Sequence, residues 1–429
     1  MDITIDPRDF IHTPFCHCPR CGEKSFGVLS IGGQQYVRRC RECRWTSSFP
    51  LPGLSKKVVY VDQMGISNMM KSLNPATRAH KQGNTSTVWR ELFDRLDSLG
   101  KLQLIVCPDS EFHRNESLLS PFYPALKRLY DLLSQGVSFD HHHTIKEYQI
   151  SQHAHYWIRG EVDKVLSFDT QAVVHGTINE WQDRLIITVD SHVSQDVLEE
   201  MRQERDTVHS QLADLFGEWQ RDRPSFEQSF KSEYRGFGES VLKRYIDYTK
   251  DYYRLADGQV DLMEKVINPP LAFHLVRSVE EVFREAGVGE NDLFARLSEY
   301  FRSSSLTNVP FLRISALLYA ALARKAAAGQ KRPPTRGMFN DIELISVLLP
   351  YCDAMFIDNE CAGFFREAPL CTEIKYDTKV FSLNTIDGFF EYLDATKAGA
   401  RDEHFAKVAE VYGDDWGKPY TSLYDQEHL

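Results

Sequence analysis

The sequence predicts an α/β protein in which a parallel β-sheet is joined to a small metal-binding unit at its N-terminal end. Short apolar runs at 57–61, 102–107 and 352–357 alternate with amphipathic helical patterns. Two Cys-x-x-C pairs lie within the first 50 residues. The chain of 429 residues is also longer than one hydrophobic core usually serves. We therefore expect several domains, or one domain with a large insertion.

Composition narrows the class of protein. A hydrophobic fraction of 42% and an aromatic fraction of 12% indicate a folded chain, and a net charge of -11 argues against polyelectrolyte binding by the whole surface. A local basic patch stays compatible with that charge. No apolar run approaches the roughly 20 residues that span a bilayer, and no signal-peptide pattern is present. We expect a soluble, cytoplasmic protein without a membrane partner.

The cysteine pairs predict a structural zinc site. Cys18 and Cys21 are separated from Cys40 and Cys43 by a segment with a Gly-Gly turn, a spacing that suits two hairpins around one tetrahedral Zn²⁺. Residues 14–48 resemble a zinc ribbon, whose folding energy the metal would supply. Cys16 and His17 leave the first ligand pair open, and unliganded structural thiols are the alternative.

A basic and aromatic cluster surrounds the second cysteine pair. Arg38, Arg39, Arg44 and Trp45 are the residue types that contact a phosphate backbone or a stacked base, so we predict that they bind nucleic acid. A solvated basic face that docks onto the acidic remainder of the protein explains the cluster equally well.

The first predicted core strand, at 57–61, ends in Asp62. A carboxylate there is a common metal ligand, and capping of the following helix is the alternative. The second strand, at 102–107, leads to a segment with Glu111 and Glu116. If that segment is helical, Glu116 shares a face with His113 and Glu111 lies on another face.

Residues 136–305 interrupt the alternation and predict a mainly helical insertion. The run at 140–143, Asp-His-His-His, is typical of an exposed loop more often than of a metal site. The run at 184–190 predicts a further strand that ends in Asp190 and competes with the other strand-end acids.

The pattern of strands and helices resumes after the insertion. A basic loop with Lys331, Arg332 and Arg336 leads to Asn340 and Asp341, which are predicted to cap a buried helix that stops at Pro350. A strand at 352–357 then delivers Asp358. The predicted organisation is a zinc ribbon at 1–50, core halves at 55–135 and 306–395 around the insertion, and a C-terminal tail at 396–429.

Carboxylates at the C-terminal edge of one parallel sheet repel each other unless a cation lies between them. Mg²⁺ or Mn²⁺ takes oxygen ligands and pairs carboxylates with substrate phosphates. Such an ion activates a water for attack on phosphorus, so the pattern predicts hydrolysis of a phosphodiester.

The order of these acids resembles that of PIN-like nuclease domains. The matching features are the strand before Asp62, the segment from Ser110 to Glu116, Asn340-Asp341 and the strand before Asp358. The resemblance implies a three-layer α/β/α, Rossmann-like fold. It also implies that the acids hold one or two divalent metals with which the domain cleaves RNA or, in relatives, DNA. It implies Asp62, Asp341 and Asp358 as ligands. Glu116 is preferred over Glu111 as the fourth ligand.

We therefore expect a metal-dependent nuclease with RNA favoured over DNA, catalytic Mg²⁺ or Mn²⁺ and structural Zn²⁺. By family association, a toxin or antiviral-defence role would suit it. A non-catalytic nucleic-acid-binding or scaffold protein is the alternative, and a metallohydrolase of small phosphate esters is a third. The insertion could form a lid, a guide for nucleic acid or a surface for a protein partner.

Overall fold

The structure is a computed structural model that describes residues 6–83, 86–184, 193–257 and 267–424. A short 3-10 helix at Pro7–Phe10 precedes an antiparallel sheet of order β1-β2-β3-β4. Its strands are His12–Cys16 (β1), Phe26–Gly32 (β2), Gln35–Cys40 (β3) and Thr46–Pro50 (β4). Gly33, in the predicted turn between β2 and β3, has a φ of 58°, a left-handed conformation that glycine adopts without a Cβ clash.

The central sheet is parallel, which confirms the predicted α/β class. The remaining strands are Lys57–Val61 (β5), Ile105–Val106 (β6), Ser138–Phe139 (β7), Val174–His175 (β8), Ala354–Phe356 (β9) and Lys379–Phe381 (β10). The order is β10-β9-β5-β6 with every pair parallel. The antiparallel pair β7-β8 adjoins this sheet through a bridge between Asp109 and Ser138.

Helices cover the sheet and form most of the insertion. Those up to the end of the insertion are Gln63–Leu73 (α1), Arg78–Lys81 (α2), Thr87–Lys101 (α3), Glu111–Leu118 (α4), Tyr123–Ser134 (α5), His142–Ile158 (α6), Gln195–Asp222 (α7), Phe226–Ala256 (α8), Leu271–Glu285 (α9) and Glu290–Phe301 (α10). The later ones are Pro310–Ala327 (α11), Met338–Leu348 (α12), Asn359–Phe364 (α13), Leu370–Glu373 (α14), Ile386–Ala398 (α15) and Asp402–Tyr412 (α16).

Strand β5 separates two hydrophobic cores because successive side chains of a strand point to opposite faces. Val59 and Val61 pack in one core with α1, α3, α5 and α15. Val58 and Tyr60 pack in the other with α6, α11 and α12. Helices therefore lie on both faces of the sheet, an arrangement compatible with a three-layer α/β/α fold.

The insertion contributes to the core that contains Val58 and Tyr60. Helices α7 and α8 pack against α11, and α6 packs against α9. Buried Phe216 and Phe283 belong to the same cluster as Tyr60 of the central strand. The described helices of the insertion thus pack against the core. The predicted strand at 184–190 falls mostly outside the described residues.

The C-terminal segment joins the ribbon to the core. Val411 and Tyr412 of α16 pack with Tyr36 of β3, and the Tyr36 hydroxyl donates to the Glu410 carboxylate. Tyr424, further along the same segment, packs in the core that contains Val59 and Val61. None of the described helices combines the length and apolar composition that crossing a bilayer requires.

Candidate metal centres

Two acids follow neighbouring strands. Asp62 follows β5 and accepts a hydrogen bond from Met64 N at the start of α1. Asp358 comes two residues after the end of β9, and its Oδ1 accepts from Glu360 N at 2.7 Å and Cys361 N at 3.1 Å at the start of α13. Because β5 and β9 are parallel neighbours, both carboxylates lie at the same sheet edge. Each residue caps a helix and also lines the cavity described below.

Asp341 reaches the same place from α12, but it does not cap that helix. The predicted cap at Asn340-Asp341 is wrong because α12 begins at Met338, with Gly337 as the cap residue. The Asp341 N–H donates to the Gly337 carbonyl at 2.9 Å, so Asp341 lies within the first turn. A carboxylate in a first turn is still stabilised by the helix dipole.

Four carboxylates from four separate elements line one cavity of about 370 Å³ at this edge. They are Asp62, Glu116, Asp341 and Asp358, together with His113 and Arg205. His113 is buried, and its Nε2 lies 2.7 Å from the Val61 carbonyl, so it ties α4 to the end of β5. This bond helps to direct the face of α4 that carries Glu116 toward the cavity.

Burial and mutual repulsion make this group of acids costly without a cation. Burial, with the charges of Glu116 and Asp358, raises the pKa of Asp62 to about 7. Burial, with the charges of Asp62, Asp358 and Glu116, raises the pKa of Asp341 to about 9. Burial also raises the pKa of Glu116. A bound divalent cation would remove this penalty.

The donor set fits a hard cation. Asp358 Oδ2 is buried and has no hydrogen-bond partner among the described residues. Ligand atoms of Asp341, Asp358 and Cys361 lie within 4.8 Å of one another. Burial, followed by the charges of the two acids, raises the pKa of the Cys361 thiol, and sulfur is not a ligand that Mg²⁺ prefers. A hard cation at this place would take the carboxylate oxygen atoms as ligands.

Glu111 is not part of this cavity, which corrects its candidacy as a metal-site acid. It lies five residues before Glu116 on α4, so the two side chains point about 140° apart around the helix. The Glu111 carboxylate contacts His141 Nε2 at 2.6 Å and accepts from His142 N at 2.6 Å. Glu111 therefore caps α6, whereas Glu116 lines the cavity.

Glu111, His141 and His142 form a second group whose ligand atoms lie within 4.8 Å of one another, compatible with a metal. Hydrogen bonding explains the group equally well. The His143 N–H donates to His141 Nδ1 at 3.2 Å, which leaves the proton of the neutral ring on Nε2, facing Glu111. A metal on that Nε2 would need the proton on Nδ1 instead. This histidine run begins α6 and is only partly exposed.

The four cysteines of the ribbon come together in a group suited to zinc. The Sγ atoms of Cys18 and Cys43 are 3.5 Å apart, those of Cys21 and Cys40 are 3.6 Å apart, and all four lie within 4.8 Å. Tetrahedral zinc with Zn–S bonds near 2.3 Å places its sulfur atoms about 3.8 Å apart.

The other two candidate ligands of the ribbon lie outside this group. The Cys16 thiol donates to the Phe26 carbonyl at 3.4 Å, and His17 Nδ1 lies 2.9 Å from the Gly22 carbonyl. These contacts leave Cys18 and Cys21 as the first pair.

Arg38 is not available to nucleic acid, which corrects its prediction as a contact residue. It is 6% exposed and donates to the carbonyls of Pro14 at 2.7 Å, Phe26 at 3.1 Å and Glu410 at 2.7 Å. The alternation of β3 places it on the inner face with Tyr36, a signal that the period of two could have provided.

The other predicted basic contacts remain accessible to different degrees. Arg39 is half-buried, Arg44 is exposed, and Trp45 is 41% exposed with Arg20 over its ring. In the loop before α12, Lys331, Arg332 and Arg336 are exposed. Arg336 Nη1 pairs with Asp206 at 3.3 Å.

Arg205 is the cavity residue that sequence reasoning missed. It lies on α7 of the insertion, and its charge lowers the pKa values of Glu116 and Asp341 against the effect of burial. Nothing in the charged pattern of α7 distinguishes Arg205 from its neighbours, because only the packing of α7 against α11 brings it to the sheet edge.

Comparison of this chain with protein-family models, with curated proteins and with solved structures finds no match.

Proposed function

We propose that the protein is a divalent-metal-dependent nuclease of the PIN-like type that hydrolyses phosphodiester bonds, with RNA favoured over DNA. The observation that carries this proposal is the convergence of Asp62, Glu116, Asp341 and Asp358 on one cavity at the C-terminal edge of the parallel sheet. Four carboxylates around one cavity are explained by a hard cation and are otherwise a cost to folding.

Each residue has a part in this proposal. The four carboxylates would hold Mg²⁺ or Mn²⁺. When bound, such an ion supplies an activated water and neutralises charge on the phosphate. The bonds from Met64 N to Asp62 and from Glu360 N to Asp358 fix the orientation of these two ligands. Arg205, on the wall of the same cavity, would face a substrate phosphate.

The zinc ribbon is proposed to bind the strand away from the reacting phosphate. Arg44 and Trp45 are exposed next to Cys43, and they pair a cation with a ring that can stack on a base. Arg39 contributes a further, half-buried cation.

Hydrolysis of a small phosphate ester is the second candidate. The size of the cavity, about 370 Å³, favours it because one ester would fill that space. A non-catalytic nucleic-acid-binding protein would leave the buried, unpartnered Oδ2 of Asp358 unexplained.

The test compares cleavage by the purified, zinc-replete protein in Mn²⁺ and in Mg²⁺. The substrates are single- and double-stranded RNA and DNA and a chromogenic small phosphodiester. We expect cleavage of RNA, and a fall of at least about 100-fold in Asp62→Asn and Asp341→Asn, since each change removes a metal ligand. Asp377→Asn, an exposed acid before β10, is the matched control.

Three outcomes would overturn this proposal or replace it. If no nucleic acid is cut in either metal, the nuclease function is wrong. If the Asp variants cut as fast as the parent, the cavity is not the active site. Turnover of the small ester without cleavage of RNA or DNA would establish the second candidate.

A further inference from the structure

We propose that Arg205, Arg202 and Arg336 form a phosphate-binding subsite beside the carboxylate cavity. In this arrangement the substrate is a polynucleotide strand, and a phosphate next to the reacting one is held by α7 of the insertion. The inference rests on the proposed function, because the carboxylates define where the reacting phosphate lies.

Arg205 is shared by two adjoining recesses. It lines the carboxylate cavity with Asp341 and Glu116, and it also lines a second recess of about 320 Å³. The walls of that recess are Leu119, Arg202, Arg205, Asp206 and Arg336. A strand could therefore pass from the acids into a recess where cations predominate.

The second recess is built from elements that also carry the acids. Leu119 directly follows α4, the helix of Glu116. Arg336 lies two residues before α12, the helix of Asp341. Arg202 and Arg205 are three residues apart on α7, so they share one face of that helix. The position of this recess relative to the acids is therefore set by packed helices.

The charges in this recess are free to meet an anion. Asp206 is its one acid, and its pair with Arg336 joins side chains that are 57% and 64% exposed. Exposed pairs of this kind contribute only about 0–1 kcal/mol, so a phosphate can replace the carboxylate. Arg205 Nε is buried and has no hydrogen-bond partner among the described residues. A guanidinium with an unused Nε donor suits the binding of a phosphate.

The net charge of the protein and the cations of this recess together indicate the class of substrate. A net charge of -11 argues against polyanion binding by the whole surface, so binding needs a local cationic path. A small ester would need only the carboxylate cavity and its ion. Cations in the adjoining recess are useful only to a substrate that carries a second phosphate.

The experiment measures binding apart from cleavage. A fluorescent single-stranded RNA of about 12 nucleotides is titrated into the full chain carrying Asp341→Asn, in Ca²⁺ buffer, over a range of salt concentrations. We expect Arg205→Ala to weaken binding at least tenfold and to reduce the salt slope by about 1. Arg205→Lys is expected to give an intermediate affinity, because it keeps the charge and loses the bidentate fork.

Two further variants guard against misfolding of Arg205→Ala. The double variant Arg202→Ala/Arg336→Ala, at exposed positions, is expected to weaken binding at least fivefold. Arg221→Ala, an exposed residue about 24 Å further along α7, is the control that should bind like the parent. Near-UV circular dichroism and zinc content verify folding in each case.

The outcomes separate this inference from the proposed function. Unchanged RNA binding in folded Arg205→Ala and in the double variant would overturn the subsite, even if the protein cleaves RNA. Arginine-dependent binding by a protein that cuts nothing would support the subsite while the nuclease proposal fails. If the arginine variants lost equal affinity for RNA and for the small diester, the result would also count against the subsite, since only RNA offers a neighbouring phosphate.

Discussion

The cysteine group of the ribbon and the carboxylate group of the core differ in how the fold brings their members together. The cysteines occupy positions 18–43 on adjacent turns of one small sheet. The carboxylates come from positions 62–358 and are assembled at the edge of a sheet between two large cores. The local group would depend on a bound zinc for folding, whereas the meeting of the distant group depends on hydrophobic packing.

The energetics of the two groups are opposite in sign. The small cluster of Cys18, Phe26 and Cys40 gives the cysteine end of the ribbon little apolar burial, so zinc would supply its stability. The raised pKa values of Asp62 and Asp341 indicate that the carboxylates destabilise the metal-free protein, a cost that a bound cation would remove.

Replacement of one ribbon cysteine should have the largest effect. Cys40→Ser is expected to remove most of the roughly 10 kcal/mol that structural zinc contributes and to unfold the ribbon locally. Zinc content by mass spectrometry should fall from one per chain to none, with new proteolysis before residue 50. Cys16→Ser is the control, since that thiol lies outside the group. Retention of zinc by Cys40→Ser would contradict the assignment.

A cavity in the sheet core should affect the carboxylates and leave the ribbon intact. Phe356 of β9 is fully buried two residues before Asp358. Phe356→Ala is expected to lower the free energy of unfolding by about 3–5 kcal/mol and to weaken Mn²⁺ binding, with no change in zinc content. Urea unfolding and Mn²⁺ titration measure these effects. Phe294→Ala, at a 52% exposed position, should cost less than about 0.5 kcal/mol. Loss of zinc in Phe356→Ala would show that the cysteine group also depends on the packing of the sheet core.

Removal of one core carboxylate should stabilise the metal-free core. Asp341→Asn is expected to raise the free energy of unfolding at pH 8.5 by about 2 kcal/mol, because each pKa unit corresponds to about 1.4 kcal/mol and other acids remain. The raised pKa values mean that the folded state binds protons more tightly than the unfolded state. Stability of the parent should therefore fall as the pH rises from about 4 through 7 to 9.

Urea midpoints at pH 6 and pH 8.5, in buffer free of Mg²⁺ and Mn²⁺ with zinc retained, measure this dependence. The slope with pH should be smaller in Asp341→Asn, and millimolar Mg²⁺ should flatten it in the parent. If the variant is less stable than the parent at pH 8.5, the carboxylates do not destabilise the metal-free protein.

The smallest effect is expected at the exposed face of the ribbon. Trp45→Ala should weaken RNA binding by about 1 kcal/mol through loss of stacking, without a change in zinc content. Arg38→Ala should instead lower stability, since Arg38 donates to buried carbonyls. Fluorescence anisotropy and thermal unfolding distinguish the two variants. Equal RNA affinity for Trp45→Ala and the parent would remove the ribbon from the proposed binding surface.

Features that depend on neighbouring residues were predictable from the sequence alone. Spacing identified Cys18, Cys21, Cys40 and Cys43 as a group, because hairpins have short, fixed lengths. Apolar runs located three strands of the parallel sheet, two of which are followed by the cavity acids Asp62 and Asp358. Helical geometry also separated Glu111 from Glu116, which lie on different faces of α4.

Tertiary structure alone decided which distant groups meet. The alternation of β3 separates Arg38 from Arg39, but only the tertiary structure places the helix of Glu410, from the other end of the chain, against Arg38. Arg205 reaches the cavity because α7 packs on α11. Local preferences fix strands, turns and caps, whereas burial and convergence depend on cores assembled from residues hundreds of positions apart.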